Sequence, residues 1–130
     1  MVRITSLHGF PTDPEEFDRY YRSVHTPIVQ RIPGVRNIRF GRVFQTVDGQ
    51  PAPYYLVSDV YFDDVDALER ALASPEMQEA IADVPNFATG GVTIMFCEYE
   101  DFSPIVGEPA TLQRPRPGAP QPTIPPVSKH

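Results

Sequence analysis

The chain has 130 residues, 41% of them hydrophobic, which suffices for one modest core and leaves no room for two. The formal net charge is −6, and residues 1–103 alone carry 8 Lys/Arg against 16 Asp/Glu, a balance that argues against a surface built for nucleic-acid phosphates. No apolar run reaches about 18 residues and MVRITSLHGF lacks a basic region followed by an apolar stretch, so neither a membrane span nor a secretory signal is expected and the cytoplasm is the expected location.

The single cysteine, Cys97, cannot form an internal disulfide, which agrees with a reducing compartment. Of the 16 prolines, 8 follow Ser103. The composition therefore predicts a folded body over residues 1–102 and a proline-rich tail over 103–130.

Val2, Ile4 and Ser6 alternate with Arg3, Thr5 and Leu7, which predicts a strand over 2–8. Asp13, Pro14 and Glu16 then have the spacing of a helix cap, a first-turn proline and a capping box. The helix that follows places Phe17, Tyr20, Tyr21, Val24, His25 and Ile28 on one face. Pro27 falls inside it, removes one donor and crowds the carbonyl of Ser23, so the helix is expected to kink or loosen around His25.

Ile32-Pro33-Gly34 ends that helix, and a second strand is predicted from Val35 to Thr46. Asp48-Gly49 is a hairpin signal leading into a third strand, Tyr54 to Phe62. Asp63 is the expected cap of a helix carrying Val65, Leu68 and Leu72, and Ser74-Pro75-Glu76 starts a further short helix lined by Met77, Ala80, Ile81 and Val84. Val92 to Tyr99 is so continuously apolar that a strand buried on both faces is expected.

Strand, helix, two strands, helix, strand is the split β-α-β order, an α+β, ferredoxin-like arrangement whose helices cover one face of the sheet. The third strand offers Leu56, Val60 and Phe62 to one face and Tyr55, Val57 and Tyr61 to the other. A second copy in a closed homodimer is the expected cover for the open face. The early arginines from Arg19 to Arg42 and the later acids from Asp48 to Asp101 are read as solvated faces, or as charge complementarity between two such copies.

The tail has too few apolar residues to fold and is expected to be disordered or to wrap the partner subunit. Arg114, Pro117 and Pro120 also have the spacing of a ligand for an aromatic groove.

With these elements in place, the chain from Phe17 to Tyr99 resembles the EthD-type proteins of the dimeric α+β barrel superfamily. The likeness rests on FDRYYRSVHTPIVQRIPGV, with Tyr20, Tyr21, His25, Pro27, Pro33 and Gly34, and on DVYFDDVDALERALASPEMQEAIADVPNF, with Asp59, Phe62, the Ser74-Pro75-Glu76 step, Asp83 and Phe87. The resemblance implies a ferredoxin-like subunit, two of which pack sheet to sheet. Related barrel proteins include lactone isomerases, polyketide cyclases, decarboxylases and cofactor-free monooxygenases, so the fold alone does not select the reaction.

His25 is the first candidate for chemistry, because imidazole gives or takes a proton near pH 7 and an apolar helix face favours its neutral form. Its alternative is a hydrogen-bonded core histidine. Tyr21, one turn earlier, is placed to donate to a substrate oxygen, or else to pack in the core. Asp83 sits near a helix end that disfavours negative charge, which points to a specific partner, a cap or a tether for the loop to Phe87.

His25, Tyr21 and Asp83 thus form the candidate catalytic set, with Phe17, Tyr20, Asp59 and Phe87 as candidate substrate-binding residues. Asp59, among apolar neighbours, is expected to orient His25 or to pair with Arg39 or Arg42. His8 at the end of the first strand is expected to be exposed, although a strand end can border a pocket. Ser23 and Ser58 lack a nucleophile signature, and Cys97 lies in an apolar strand where a thiol is inert.

No metal-ligand spacing, G-x-G-x-x-G or phosphate loop occurs, so no metal and no cofactor is expected. The leading functional expectation is a cofactor-independent lyase or isomerase on a small apolar oxygenated substrate, such as a lactone, phenol or polyketide-like acid, by cyclisation, dehydration, decarboxylation or lactone isomerisation. A cofactor-free monooxygenase of phenols and a non-catalytic ligand-binding dimer are the alternatives.

Overall fold

The computed structural model describes residues 1–102, of which Met1–Glu100 make one compact unit. The proline-rich segment 103–130, with its Arg114-Pro117-Pro120 spacing, lies outside the described residues. In chain order the elements are β1 (Val2–His8), α1 (Pro14–Tyr20), a π-helical turn (Tyr21–His25), α2 (Thr26–Gln30), β2 (Asn37–Arg42), β3 (Leu56–Phe62), α3 (Val65–Leu72), α4 (Pro75–Asp83) and β4 (Val92–Glu98). The four strands form one antiparallel sheet in the order β2-β3-β1-β4, which is the ferredoxin-like topology. Among the described residues no helix is long and apolar enough to cross a membrane.

Local chemistry sets the helix starts. Asp13 accepts from the Glu16 N–H, and Ser74 accepts from Met77 N–H ahead of Pro75. Glu16 does not close the box; its carboxylate pairs with Arg19 instead. The cap of α3 is Asp64, which accepts from Ala67 N–H, and not Asp63, which turns out to hold Arg36.

The loosening expected at Pro27 takes a definite form. The Thr26 N–H reaches back five residues to the Tyr21 carbonyl, and the Thr26 hydroxyl donates to that same oxygen at 2.7 Å. Widening the helix by one residue per turn moves the chain clear of the proline ring, and Pro27 then occupies the first turn of α2, where no donor is needed. His25 is the last residue of the widened turn.

Residues Val2, Ile4, Ser6 and His8 of β1 face the helices, as do Ser58, Val60 and Phe62 of β3. The main core lies there, where Ile4 and the almost fully enclosed Phe62 meet Ile28, Leu68, Ala71 and Met77. A second cluster, Phe17, Tyr21, Tyr55, Leu56 and Phe87, fills the end of the sheet at which β1 stops.

Three expectations about the strands need correction. β2 ends at Arg42 and β3 begins at Leu56, because Pro51 and Pro53 cannot donate to a ladder; a turn with Gly49 at φ +79° and a lone Gln45–Pro51 bridge close the connection. Tyr55 therefore precedes the strand and turns toward α1, its hydroxyl donating to Asp18 at 2.7 Å. β4 is an edge strand and is not buried on both faces, since Ile94, Met95 and Phe96 are all exposed in the subunit.

The end of β1 is pinned to the start of β4 by backbone alone. Gly9 N–H donates to the Gly91 carbonyl at 2.9 Å, and a Cβ at Gly90 would lie 2.3 Å from the Phe10 carbonyl oxygen. Backbone atoms on both sides leave no soft neighbour to yield. Gly90→Ala should therefore destabilise the fold by about 1–3 kcal/mol, read as a lower urea midpoint at unchanged slope.

Candidate active site

The structure brings His25 and Asp83 together. The π turn delivers His25 from the first helical segment, and the last residue of α4 delivers Asp83 from the second, with Nδ1 of the imidazole 2.9 Å from Oδ2. Both residues are buried. The Tyr20 hydroxyl donates to Asp83 Oδ1 at 2.5 Å, and the Asn86 side-chain amide donates to that oxygen at 3.1 Å.

A carboxylate at a helix C-terminus opposes the helix dipole, and these donors compensate it. Burial pushes the Asp83 carboxyl up, but hydrogen bonds from Tyr20, His25 and Asn86 outweigh that and hold it below the ordinary value. Burial pulls His25 down, and the Asp83 hydrogen bond and charge restore only part of the loss. The imidazole is therefore neutral at pH 7, with Nδ1–H given to Asp83 and Nε2 left as an acceptor.

His25 lines a cavity of about 240 Å³ between the helices and the sheet. Its wall is mainly apolar, and the polar groups on it come from His8, His25, Tyr21, Thr26, Ser6 and Ser58. Ile81 of α4 and Ile94 and Phe96 of β4 line the same space while exposed, so the mouth opens between α4 and the edge strand. Small, apolar, and carrying a few convergent polar groups, it has the character of a small-molecule site.

Tyr21 is on this wall. Burial raises its phenol pKa, with Ser58 nearby opposing the rise in part, so the phenol stays protonated and available as a donor. Ser58 and Ser6 sit opposite each other on β3 and β1, which makes a polar strip across an otherwise apolar floor.

The other candidates fall elsewhere. Asp83 and Tyr20 stand behind His25 and hold it in place without reaching the cavity wall; Asp83 is thus a positioning residue. Phe17 and Phe87 are likewise a second layer, Phe87 lying 4.5 Å from the His25 ring centre and Phe17 stacked on Tyr21 at 5.7 Å. Asp59 is on the opposite face of the sheet, where it accepts from Thr5 at 2.6 Å and lies across from Arg39. It cannot orient His25, because alternation along β3 turns Ser58 and Val60, and not Asp59, toward the helices.

His8 is the residue the sequence reading misplaced. It is only 3% exposed, lines the cavity, and packs against Phe17, Tyr21 and Phe87 at ring separations of 5.4, 5.9 and 5.7 Å. The signal was available in the alternation Val2, Ile4, Ser6, His8, which puts the imidazole on the core side of β1. Desolvation and the neighbouring His25 lower its pKa to about 4.

The chain is thus a small α+β, ferredoxin-like subunit in which a histidine, backed by an aspartate, lines an apolar cavity. The chain belongs to the EthD family, whose domain model matches residues 11–91. It is 42% identical over 104 residues to an uncharacterized 11.0 kDa protein of the thcB-thcC intergenic region of Rhodococcus erythropolis, covering 80% of this chain and all of that one. An EthD family protein from Bacillus halodurans superposes with a TM-score of 0.71 at 30% identity, over 77% of this chain and 99% of that structure. A dimeric ferredoxin-like protein of unknown function from Thermobifida fusca shares the fold at 15% identity and a TM-score of 0.56, over 75% and 90% of the two chains.

The His8 shift has a consequence for stability. Its native pKa lies below the ordinary histidine value of 6.5, so between pH 6.5 and about 4 the unfolded chain binds the proton and the native chain does not. Stability should therefore fall as pH drops through that window, by up to about 3 kcal/mol from this residue. Urea unfolding of wild type and His8→Gln across the window should show a shallower acid loss in the variant.

Proposed function

We propose that this protein is a cofactor-independent enzyme of proton-transfer chemistry, a lyase or isomerase acting on a small apolar compound with one oxygenated end. The observation that carries the reading is the His25 imidazole, tautomerically fixed by Asp83 and presented to an apolar cavity. The lone pair at Nε2 takes a proton from carbon next to a carbonyl, and the C–H electron pair moves into the enolate. The phenol of Tyr21, aimed into the same space, donates to the developing oxyanion.

His25-H⁺, steadied by the Asp83 charge, then returns the proton. Delivery to a different carbon completes an isomerisation, and delivery to a departing hydroxyl completes a dehydration. Burial of the pair keeps the base neutral at rest and strengthens each hydrogen bond in the transition state. Cyclisation, decarboxylation and lactone isomerisation all begin from, or pass through, the same stabilised enolate. A polyketide-like or aromatic compound is consistent with the aliphatic wall and the size of the cavity.

The same reading has the enzyme working as a homodimer. The helices cover one sheet face, and the other carries Leu7, Val57, Tyr61, Met95 and Cys97, with Met95 exposed in the subunit. Arg3 lies there between the rings of Tyr61 and Tyr99, at 4.4 and 4.1 Å from their centres. A two-fold copy packed on this face leaves both cavity mouths free, since they open on the helix side. Sedimentation equilibrium should give twice the 14.6 kDa chain mass, and Met95→Glu should shift it toward the single chain.

Proton exchange tests the chemistry without knowledge of the natural substrate. With a panel of small aryl ketones, lactones and phenols in D₂O, wild type should catalyse deuterium incorporation next to the oxygenated carbon, followed by proton NMR. His25→Ala should reduce the rate at least ~100-fold with circular dichroism unchanged. An unaltered rate in that variant would refute the assignment of the base, as would no exchange on any member of the panel.

A further inference from the structure

The proton-transfer reading leaves His8 without a task. His8 lies on the cavity wall, enclosed by Phe17, Tyr21 and Phe87, and its Nδ1 is buried with no hydrogen-bond partner. An orphaned polar atom of this kind is destabilising, and since Nδ1 is the enclosed nitrogen, the other ring nitrogen is the one that can meet a ligand. Buried N–H groups without partners are rarer than buried acceptors without partners, so the bare lone pair belongs at Nδ1 and the hydrogen at Nε2. Nε2–H is then the atom the ring offers to the cavity.

The other imidazole is in the opposite state. Asp83 occupies Nδ1–H of His25, which leaves Nε2 as an acceptor. Both rings rest on Phe87 and on Tyr21, so one donor and one acceptor are held at fixed positions around a shared aromatic support. Among the described residues the lining contains no arginine or lysine to meet a buried carboxylate, and no aspartate or glutamate to meet an ammonium.

We propose that His8 is the carbonyl-binding residue of this site, donating Nε2–H to the substrate's C=O oxygen, and that the ligand class is neutral compounds whose apolar body ends in a ketone, ester or lactone carbonyl. The inference deepens the assignment of His25 as base and rests on it for the reaction, but carbonyl binding itself does not require His25. In the reaction the hydrogen bond strengthens as the enolate oxygen gains charge, and the His8 proton stays on nitrogen. Carboxylates are excluded by the same lining, which offers two neutral imidazoles and no cation.

Acetophenone labelled with ¹³C at the carbonyl serves as the probe, with benzoate as its anionic counterpart. Binding to the full-length wild type should move the carbonyl resonance downfield, and His8→Phe, which keeps the aromatic packing, should abolish the displacement and weaken Kd about tenfold. His8→Gln, which keeps a donor, should retain part of both, and His25→Ala should retain the displacement while losing deuterium exchange.

An unchanged resonance and Kd in His8→Phe and His8→Gln would overturn the proposal. So would loss of the displacement in Tyr21→Phe with His8 intact, tighter binding of benzoate than of acetophenone, or no acetophenone binding at millimolar concentration. A displaced resonance without exchange in wild type would instead count against the His25 base and leave His8 standing.

Discussion

The site depends on one buried carboxylate. Asp83 ends α4, where the helix dipole is against it, and is held by donors from Tyr20, His25 and Asn86. Two of those donors belong to the first helical segment and one to the turn after α4, so the carboxylate ties together, from within, two helical segments that also meet through apolar side chains and the exposed Arg31–Glu79 pair. Removing it would leave the buried imidazole of His25 without its acceptor, at about 1–3 kcal/mol, while the part-exposed Tyr20 hydroxyl would turn to water. The same contact fixes the tautomer of His25, leaving Nε2 as the acceptor of a ring that lines the cavity.

The π turn is the second half of that device. In an unbroken α-helix the proline ring of Pro27 would press on the Ser23 carbonyl. The i to i−5 bond from Thr26 to Tyr21 relieves the clash and sets the angular position of His25 relative to Tyr21. Both side chains then reach the cavity, while Tyr20, one position earlier, is carried round to Asp83. A residue that breaks a helix has here been accommodated by a local geometry that aims three side chains at once.

Much of this was legible in the sequence because it is local. The caps at Asp13 and Ser74, the strand Val2–His8 and the disturbance at Pro27 follow from a few adjacent residues. What was not legible depends on partners distant in the chain. Asp83 and Tyr20 are 63 positions apart, so only the fold shows that both serve His25 from behind. Asp59 looked able to reach His25 until the register placed it on the far side of the sheet beside Thr5. Asp64 and Asp63 are adjacent possible caps, and the choice between them turns on Arg36, which approaches from the segment before β2. His8 was misplaced for a different reason: its strand pattern was read correctly but not followed to its last residue.

The edge strand β4 contributes side chains to both faces of the sheet. Ile94 and Phe96 frame the cavity mouth, while Met95 and Cys97, alternating with them, point to the open sheet face. A slip of one residue in the pairing of β4 with β1 would exchange those sets, placing a thiol at the mouth and phenylalanine on the outer face. The hydrogen bond from Gly9 to Gly91 and the Gly9–Gly90 approach, too tight for any Cβ, stand at the end of the strand where such a slip would begin. They also hold the residue next to Gly9, the imidazole of His8, against the aromatic cluster. The glycines thus set both the register that keeps the cavity mouth apolar and the position of a buried polar group, which is why a methyl group added at this point reaches further than its volume.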